Sequence, residues 1–147
     1  IHPFADTIEK QYKKRDLIFP GTNILPEFKL ITLKAVQTIA GERDERFEDW
    51  FEALNYMYQE AMNREFDVAI IGCGAYGLPL AAMLKNAGKQ AVHLGGAVQL
   101  LFGIKGKRWD EQENYEYVRR FYTDAWVYPG ENERPKQLKK VEEGCYW

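Results

Sequence analysis

Apolar residues recur at helical spacing in three stretches of the chain. Roughly helical spacing runs from Phe4 to Phe19, directly after Pro3, a position that suits the start of a helix. From Asp44 to Arg64 the apolar positions fall at steps of three and four, with charged residues opposite. Gln112 to Tyr122 shows the same spacing over a shorter length. These patterns predict three helices, of which the one over 44–64 has the clearest repeat.

Three other stretches have the composition of β-strands. Residues 29–36 are rich in β-branched and apolar residues that loosely alternate with polar ones. Residues 66–71 and 90–94 are short apolar runs that each end at a glycine, which is typical of strands buried on both faces of a parallel sheet. Between them, residues 78–87 have a helical pattern, with Gly88 as the expected C-terminal cap.

The order of these elements predicts the fold class. A strand, a glycine turn, a helix and a second strand follow one another over residues 66–94, which together make one βαβ unit of about 30 residues. We therefore predict a single α/β domain over residues 1–147, Rossmann-like, with a mainly parallel sheet and helices on both faces. The carboxyl ends of the two strands at 66–71 and 90–94 are expected to share one edge of that sheet.

The turn between the first of these strands and the helix matches the pattern G-x-G-x-x-G. Glycines there permit a tight turn and close approach of the backbone, and the helix N-terminus that follows presents free N–H groups to an anion. The residues expected to hold a phosphate are Gly72, Gly74, Ala75, Tyr76 and Gly77. The alternative is that the glycines only allow the helix and the strand to pack closely.

The second strand ends without the acid that an NAD site requires. A dinucleotide site has Asp or Glu about 20 residues beyond its glycines, whereas this chain has His93-Leu94-Gly95-Gly96 there. A classical NAD site is therefore disfavoured, and Gly95 and Gly96 supply a second glycine turn instead. His93 is either a catalytic base or a hydrogen-bonded core histidine, and Gln99 is either a ligand contact or a solvated helix side chain.

A basic loop follows shortly afterwards. Lys105, Lys107 and Arg108 lie within four positions and are followed by Trp109. Such a loop either closes over a phosphate, with a guanidinium fork and a stacking face, or is a solvated turn. His2 is a second candidate base if Ile1 ends a strand, because ligands bind at the carboxyl ends of strands in open α/β sheets.

Composition narrows the function classes. Lys and Arg number 20 against 22 Asp and Glu, a net charge of -2, which argues against a broadly basic surface for nucleic acid. No apolar run approaches the roughly 20 residues of a membrane span, and two cysteines do not make a disulfide framework, so we expect a cytoplasmic protein. Since the chain begins at Ile1 without an initiator methionine, we expect it to be the C-terminal part of a longer protein.

Several parts of the sequence resemble a bacterial family of largely uncharacterised domains with the GT-D glycosyltransferase-like fold. The resemblance is carried by residues 66–82, 93–99 and 101–109, by His2-Pro3-Phe4 and by the closing Gly144-Cys145-Tyr146-Trp147, so it covers essentially the whole chain. It implies sugar transfer from a nucleotide-sugar donor in surface polysaccharide assembly. Characterised GT-D enzymes use an Asp-x-Glu metal motif. Its nearest substitute here is Glu111-Gln112-Glu113, which could recruit a divalent metal or simply be acids that open a helix.

Two functions from different classes are compatible with these observations. In a glycosyltransferase, residues 72–77 would hold the diphosphate, and the cations of the basic loop would neutralise the leaving nucleotide, with His93 or His2 as base or positioning group. In a non-catalytic domain, the same turn would bind a nucleotide or another small phosphorylated ligand without chemistry.

Overall fold

The computed structural model describes residues 1–38, 41–135, 138–140 and 144–147. Nine α-helices and β-strands lie in that part of the chain. In order they are α1 (Ala5–Tyr12), α2 (Arg15–Ile18), α3 (Trp50–Met62), β1 (Val68–Ile71), α4 (Gly77–Asn86), β2 (Gln90–His93), α5 (Ala97–Leu101), α6 (Lys107–Glu111) and α7 (Glu116–Arg119). Short 3-10 helices occur at Gly74–Tyr76, Glu113–Tyr115, Glu131–Glu133 and Leu138–Lys140.

The two strands and the helix between them form the predicted βαβ unit. β1 and β2 pair in parallel, in a register that runs from Val68 opposite Gln90 to Ile71 opposite His93. The helix α4 ends at Asn86, and Gly88 follows its C-cap Ala87 with a φ of 81°, in the left-handed region that favours glycine. The prediction of parallel pairing between these two strands is confirmed.

The predicted fold class, a Rossmann-like parallel sheet with helices on both faces, is wrong. In the residues that the structure describes, the sheet has only β1 and β2, and the rest of the regular structure is helical. The expected strand at 29–36 is irregular chain with one parallel bridge, between Lys34 and His2. In the described residues the chain opposite this stretch is Ile1–His2, and the pairing there is a single bridge.

The strands are also less buried than their apolar runs predict. Ala69 and Ile71 are buried, but Val68 in β1 and Val92 in β2 are each 44% exposed, and His93 is exposed as well. Successive side chains of a strand point to opposite faces, and here the core covers β1 in part and leaves β2 largely open. The expectation of strands buried on both faces is therefore wrong.

The predicted helices are present but shorter. The stretch from Phe4 to Phe19 contains α1 and α2, separated at Lys13 and Lys14. The helix expected over 44–64 begins only at Trp50, because Asp49 caps it by accepting the N–H of Glu52 at 2.8 Å. The stretch over 112–122 is a 3-10 turn followed by α7.

The core consists of apolar clusters on either side of β1. One lies between α3, α4 and the side chain of Ile71. Another joins α1 to α5 and contacts Ile70. A smaller cluster packs Ile18 and Phe19 against Trp126. The end of β1 therefore emerges between two packed layers, and the glycine turn begins there.

Candidate functional site at the glycine turn

The two glycine turns touch each other at the carboxyl ends of β1 and β2. A Cβ atom added to Gly72 would lie 2.4 Å from the carbonyl oxygen of Gly95 and 2.9 Å from Cγ2 of Val98. Only glycine permits such a close approach of two backbones. This contact fixes the position of the first turn relative to the second.

The turn itself is open on its outer side. Gly74 has a φ of 57°, and a Cβ atom added there would meet nothing within 4 Å. Gly74 and Ala75 are exposed, and the 3-10 turn that they begin leads directly into α4. The N–H of Gly77 donates back to the carbonyl oxygen of Gly74, so the helical segment as a whole begins at the 3-10 turn. Because the first N–H groups of a helical segment have no partner within it, this end offers donors and a positive dipole end to an anion.

Two side chains of the turn point into the core. Tyr76 is buried, its ring stacks on Trp50 at 4.8 Å, and its hydroxyl lies 2.7 Å from the hydroxyl of Thr38. Cys73 is also buried, and burial raises the pKa of its thiol to about 11. Tyr76, expected as a ligand contact, therefore has only its backbone available to a ligand.

His93 lies beside the start of α4. Its Nε2 atom is 2.5 Å from the place where a Cβ of Gly77 would be, and 3.9 Å from the corresponding place at Gly95. The side chain is exposed, so the second alternative, a hydrogen-bonded core histidine, is wrong. An accessible imidazole thus lies along the same edge as the open turn.

His2 is next to the first glycine turn but is buried. Its Cδ2 atom is 2.8 Å from the Cβ position of Gly72, and its Nδ1 atom accepts the N–H of Phe4 at 3.0 Å. Burial, and after it the adjacent α-amino group, lowers the pKa of His2 to about 3. The imidazole is neutral at pH 7, and one of its two nitrogens is already engaged.

The burial of His2 predicts a loss of stability in mild acid. Its unfolded pKa is about 6.5, so between pH 6.5 and 3 the unfolded chain binds a proton that the folded chain does not. We expect the free energy of unfolding to fall by up to about 1.4 kcal/mol per pH unit below pH 6.5. In His2→Asn, which can keep the bond to Phe4, this component should vanish. Denaturant titrations at pH 6.5, 5.5 and 4.5 measure it, and equal slopes in both proteins would contradict it.

The second glycine turn is covered by the aromatic residues that close the chain. A Cβ atom added to Gly96 would lie 2.5 Å from Cε1 of Tyr146 and 3.4 Å from the ring of Trp109. Gln99, expected as a ligand contact, is 1% exposed, and its amide donates to the carbonyl oxygens of Lys105 at 3.1 Å and Tyr146 at 3.3 Å. Gln99 therefore holds the loop and the tail together beneath the turn.

Lys105 lies in a cluster of tyrosines. Its Nζ atom is 5.0 Å from the ring centre of Tyr122 and 5.9 Å from that of Tyr128. Both hydroxyls donate to the carboxylate of Asp110, at 2.9 and 2.6 Å. Burial, followed by the bond to Asp110, raises the pKa of Tyr122, and the Asp110 bond raises the pKa of Tyr128. Two neutral phenols therefore face this ammonium group, and both of them bond to the same carboxylate.

The other residues of the basic loop also have protein partners. Lys107 lies 3.9 Å from Glu111. Arg108 lies 4.6 Å over the ring of Tyr146 and donates to its hydroxyl at 2.9 Å. Trp109 is buried, with its ring 5.7 Å from that of Tyr146. In these contacts the loop packs on the side of Gly96, and none of them reaches the open turn at Gly74.

The two acids considered as metal ligands have separate structural roles. Glu111 pairs with Lys107, and Glu113 begins a 3-10 helix. Among the described residues, no three His, Cys, Asp or Glu side chains come together as a group able to hold a metal ion.

Sequence reasoning missed a buried carboxylate that caps α1. Glu133 is 2% exposed, and its Oε1 accepts the N–H groups of Asp6 at 3.0 Å and Thr7 at 3.1 Å. Its Oε2 accepts the N–H of Gly130 at 3.1 Å and the hydroxyl of Thr7. Asp6 and Thr7 lie more than 120 residues before Glu133 in the sequence. No local pattern could therefore reveal these contacts.

Comparisons with protein-family models, with curated proteins and with solved structures found no match in any of the three. The resemblance to GT-D-like domains therefore stays a prediction. In the part of the chain that the structure describes, every helix is too short or too polar to cross a membrane.

Proposed function

We propose that this chain binds a small phosphorylated ligand, a nucleoside diphosphate or a nucleotide-sugar, at the shared edge of β1 and β2. The observation that carries the proposal is the open turn at Gly74. Its left-handed φ of 57° and the open space at its Cβ position leave the N-terminus of the helical segment, formed by the 3-10 turn and α4, accessible to an anion. A turn whose only purpose was close packing would need no such opening at its second glycine.

The surroundings of the turn fit a ligand with an apolar part as well as a phosphate. Leu78, in the first turn of α4, is 68% exposed, and Leu94, directly after β2, is exposed as well. Apolar surface next to a few fixed polar groups is the usual composition of a small-molecule site. A base or a sugar face can therefore pack beside the phosphate.

The charge of the ligand is balanced by backbone groups rather than by the basic loop. Lys105 faces Tyr122 and Tyr128, and Arg108 faces Tyr146, which lies against Gly96. The donors near Gly74 are N–H groups of the 3-10 turn that leads into α4, and His93 lies beside the start of that helix. We therefore expect an affinity that depends only weakly on salt, because few mobile ions are displaced from lysine or arginine.

The substitution Gly74→Val tests the site. A branched side chain would occupy the space of the phosphate, so we expect the affinity for UDP and GDP to fall more than about tenfold. Binding is measured by titration calorimetry and by the thermal shift with each nucleotide. The left-handed conformation also makes any side chain there cost about 1 to 2 kcal/mol of stability.

Gly88→Val is the matched control, since Gly88 has a φ of 81° and also meets nothing within 4 Å, but lies at the far end of α4. It should lose the same stability and keep its nucleotide affinity. If both variants bind equally weakly, strain alone explains the loss. If the unmodified chain shows no nucleotide-dependent shift, the proposed function is wrong.

Glycosyl transfer is the second candidate, and the exposed imidazole of His93 favours it. A histidine beside a bound donor can take the proton from an acceptor hydroxyl as the sugar moves. A panel of nucleotide-sugars with a soluble alcohol acceptor tests for turnover. For a transferase we expect His93→Gln to reduce turnover by about 100-fold or more, with donor binding retained. If His93→Gln leaves the turnover unchanged, His93 is not the base of the transfer.

A further inference from the structure

A cavity of about 390 Å³ lies beside the edge of β1 that faces away from β2. Residues 66–70 form one wall and residues 28–33 form the other. Ala61 of α3 closes it on one side, and Val98 and Phe102 close it on the other. We call this cavity the slot. Its lining is mostly apolar, and the polar residues in it are His2, Lys29, Thr32, Arg64, Glu65 and Asp67. The slot is separate from the glycine turn.

The first two residues of the chain occupy one end of the slot as a short parallel strand. The nitrogen of Ile1 donates to the carbonyl oxygen of Ile70 at 2.7 Å, and Gly72 donates to the oxygen of Ile1 at 2.9 Å. On the other side, His2 donates to Leu33 at 3.1 Å and accepts from Ala35 at 3.2 Å. The two walls therefore stand one strand apart, at the spacing that backbone hydrogen bonds require.

The backbone of both walls continues this pattern along the slot. Alternate residues of a strand direct their N–H and C=O groups to the same side. Since Ile70 faces Ile1 and Ile71 faces β2, the N–H of Ile70 and the C=O of Val68 point into the slot. On the opposite wall the N–H of Leu33 also points into the slot. Buried backbone groups of this kind require partners.

The outer wall is held in place by α1. The hydroxyl of Tyr12 donates to the carbonyl oxygen of Phe28 at 2.5 Å and accepts its N–H at 2.5 Å. Lys34 bonds to Asp6 at 2.9 Å, and Thr32 donates to Glu9. The slot is thus defined by contacts outside it and does not depend on an occupant for its width.

We propose that the slot is a strand site, and that its occupant is an extended apolar segment in peptide linkage with Ile1. A strand that continues the pairing of Ile1 and His2 has its carboxyl end at the nitrogen of Ile1, so direct linkage is the simplest fit. The five wall residues 66–70 set its length at about five residues. Because the lining of the slot is mostly apolar, we expect most residues of the segment to be apolar rather than alternate ones only.

The test compares four proteins: the 147-residue chain and three versions extended before Ile1. The first extension consists of two lysines followed by five valine and isoleucine residues, which directly precede Ile1. The second extension has glycine and serine at those five positions. The third has proline at the second residue before Ile1, which removes the N–H that would bond to Val68. Hydrogen exchange of the Ile70 and Leu33 amides is the measurement, with binding of an apolar dye to the slot as a second one.

We expect the apolar extension to slow exchange at Ile70 and Leu33 by about tenfold or more and to abolish dye binding. The glycine-serine and proline extensions should do neither. Equal exchange in all four proteins would overturn the proposal. Equal protection by the free five-residue peptide would make the occupant a separate chain, and displacement of the dye by a fatty acid but not by the linked segment would make the slot a lipid pocket. Either result also overturns it, and neither bears on nucleotide binding at Gly74.

Discussion

Gly72→Ala is expected to lower the free energy of unfolding by about 3 kcal/mol or more. The added Cβ would lie 2.4 Å from the backbone oxygen of Gly95, and a backbone atom cannot move aside as a flexible side chain does. Cδ2 of His2 at 2.8 Å and Cγ2 of Val98 at 2.9 Å close the other directions. Relief would require the ends of β1 and β2 to separate. Equilibrium unfolding in urea measures the loss.

Gly74→Ala, two residues further on, is the matched control. A Cβ meets nothing within 4 Å there, so only the left-handed φ opposes it, at a cost of about 1 to 2 kcal/mol. The first variant should therefore be clearly less stable than the second. If the two lose the same stability, the contact between the glycine turns is not as tight as the structure has it.

Removing the carboxylate of Glu133 is expected to cost about 3 kcal/mol. In Glu133→Ala the N–H groups of Asp6 and Thr7 lose the acceptor that caps α1, and the N–H of Gly130 loses its partner too. Bonds to a charged acceptor contribute about 1.5 to 3 kcal/mol each, but water can reach part of this site and replace some of them. The midpoint of urea unfolding is the measurement.

Two further variants separate the cap from general effects. Glu133→Gln retains Oε1 for α1 but presents an NH2 group to Gly130, so its loss should be intermediate. Glu131→Ala removes a carboxylate whose side chain is 85% exposed in the same 3-10 turn, and should change stability by less than about 0.5 kcal/mol. A loss in Glu131→Ala comparable to that in Glu133→Ala would show that the turn, and not the buried cap, is what matters.

The parts of the fold that follow from short stretches of sequence were predictable. The βαβ unit was found to within about two residues at each boundary, because an apolar run, a glycine turn and a helix cap are each encoded locally. Residues 29–36 have strand composition too, yet they pair only at Lys34. A strand requires a partner as well as a composition, and the partner here is the short stretch Ile1–His2, earlier in the sequence.

The site shows the same limit. The pattern of glycines indicates a turn, but not that Gly72 is there for contact with Gly95 while Gly74 faces open space. Three cations in four positions are as compatible with a phosphate loop as with a solvated turn. In the structure, Lys105 faces Tyr122 and Arg108 faces Tyr146. Each tyrosine lies more than 15 residues after the cation that it faces, and nothing in the sequence of the loop specifies it.

The long separation between the partners of α1 has a consequence for the order of folding. The βαβ unit joins neighbours in sequence and can assemble as soon as residue 94 has been synthesised. The cap of α1 must wait for Glu133, 127 residues after Asp6, and the ring of Trp147 contacts Phe4 at 5.6 Å. The helix α1 therefore precedes the βαβ unit in the sequence but receives its cap only after residues 95–133 have been added.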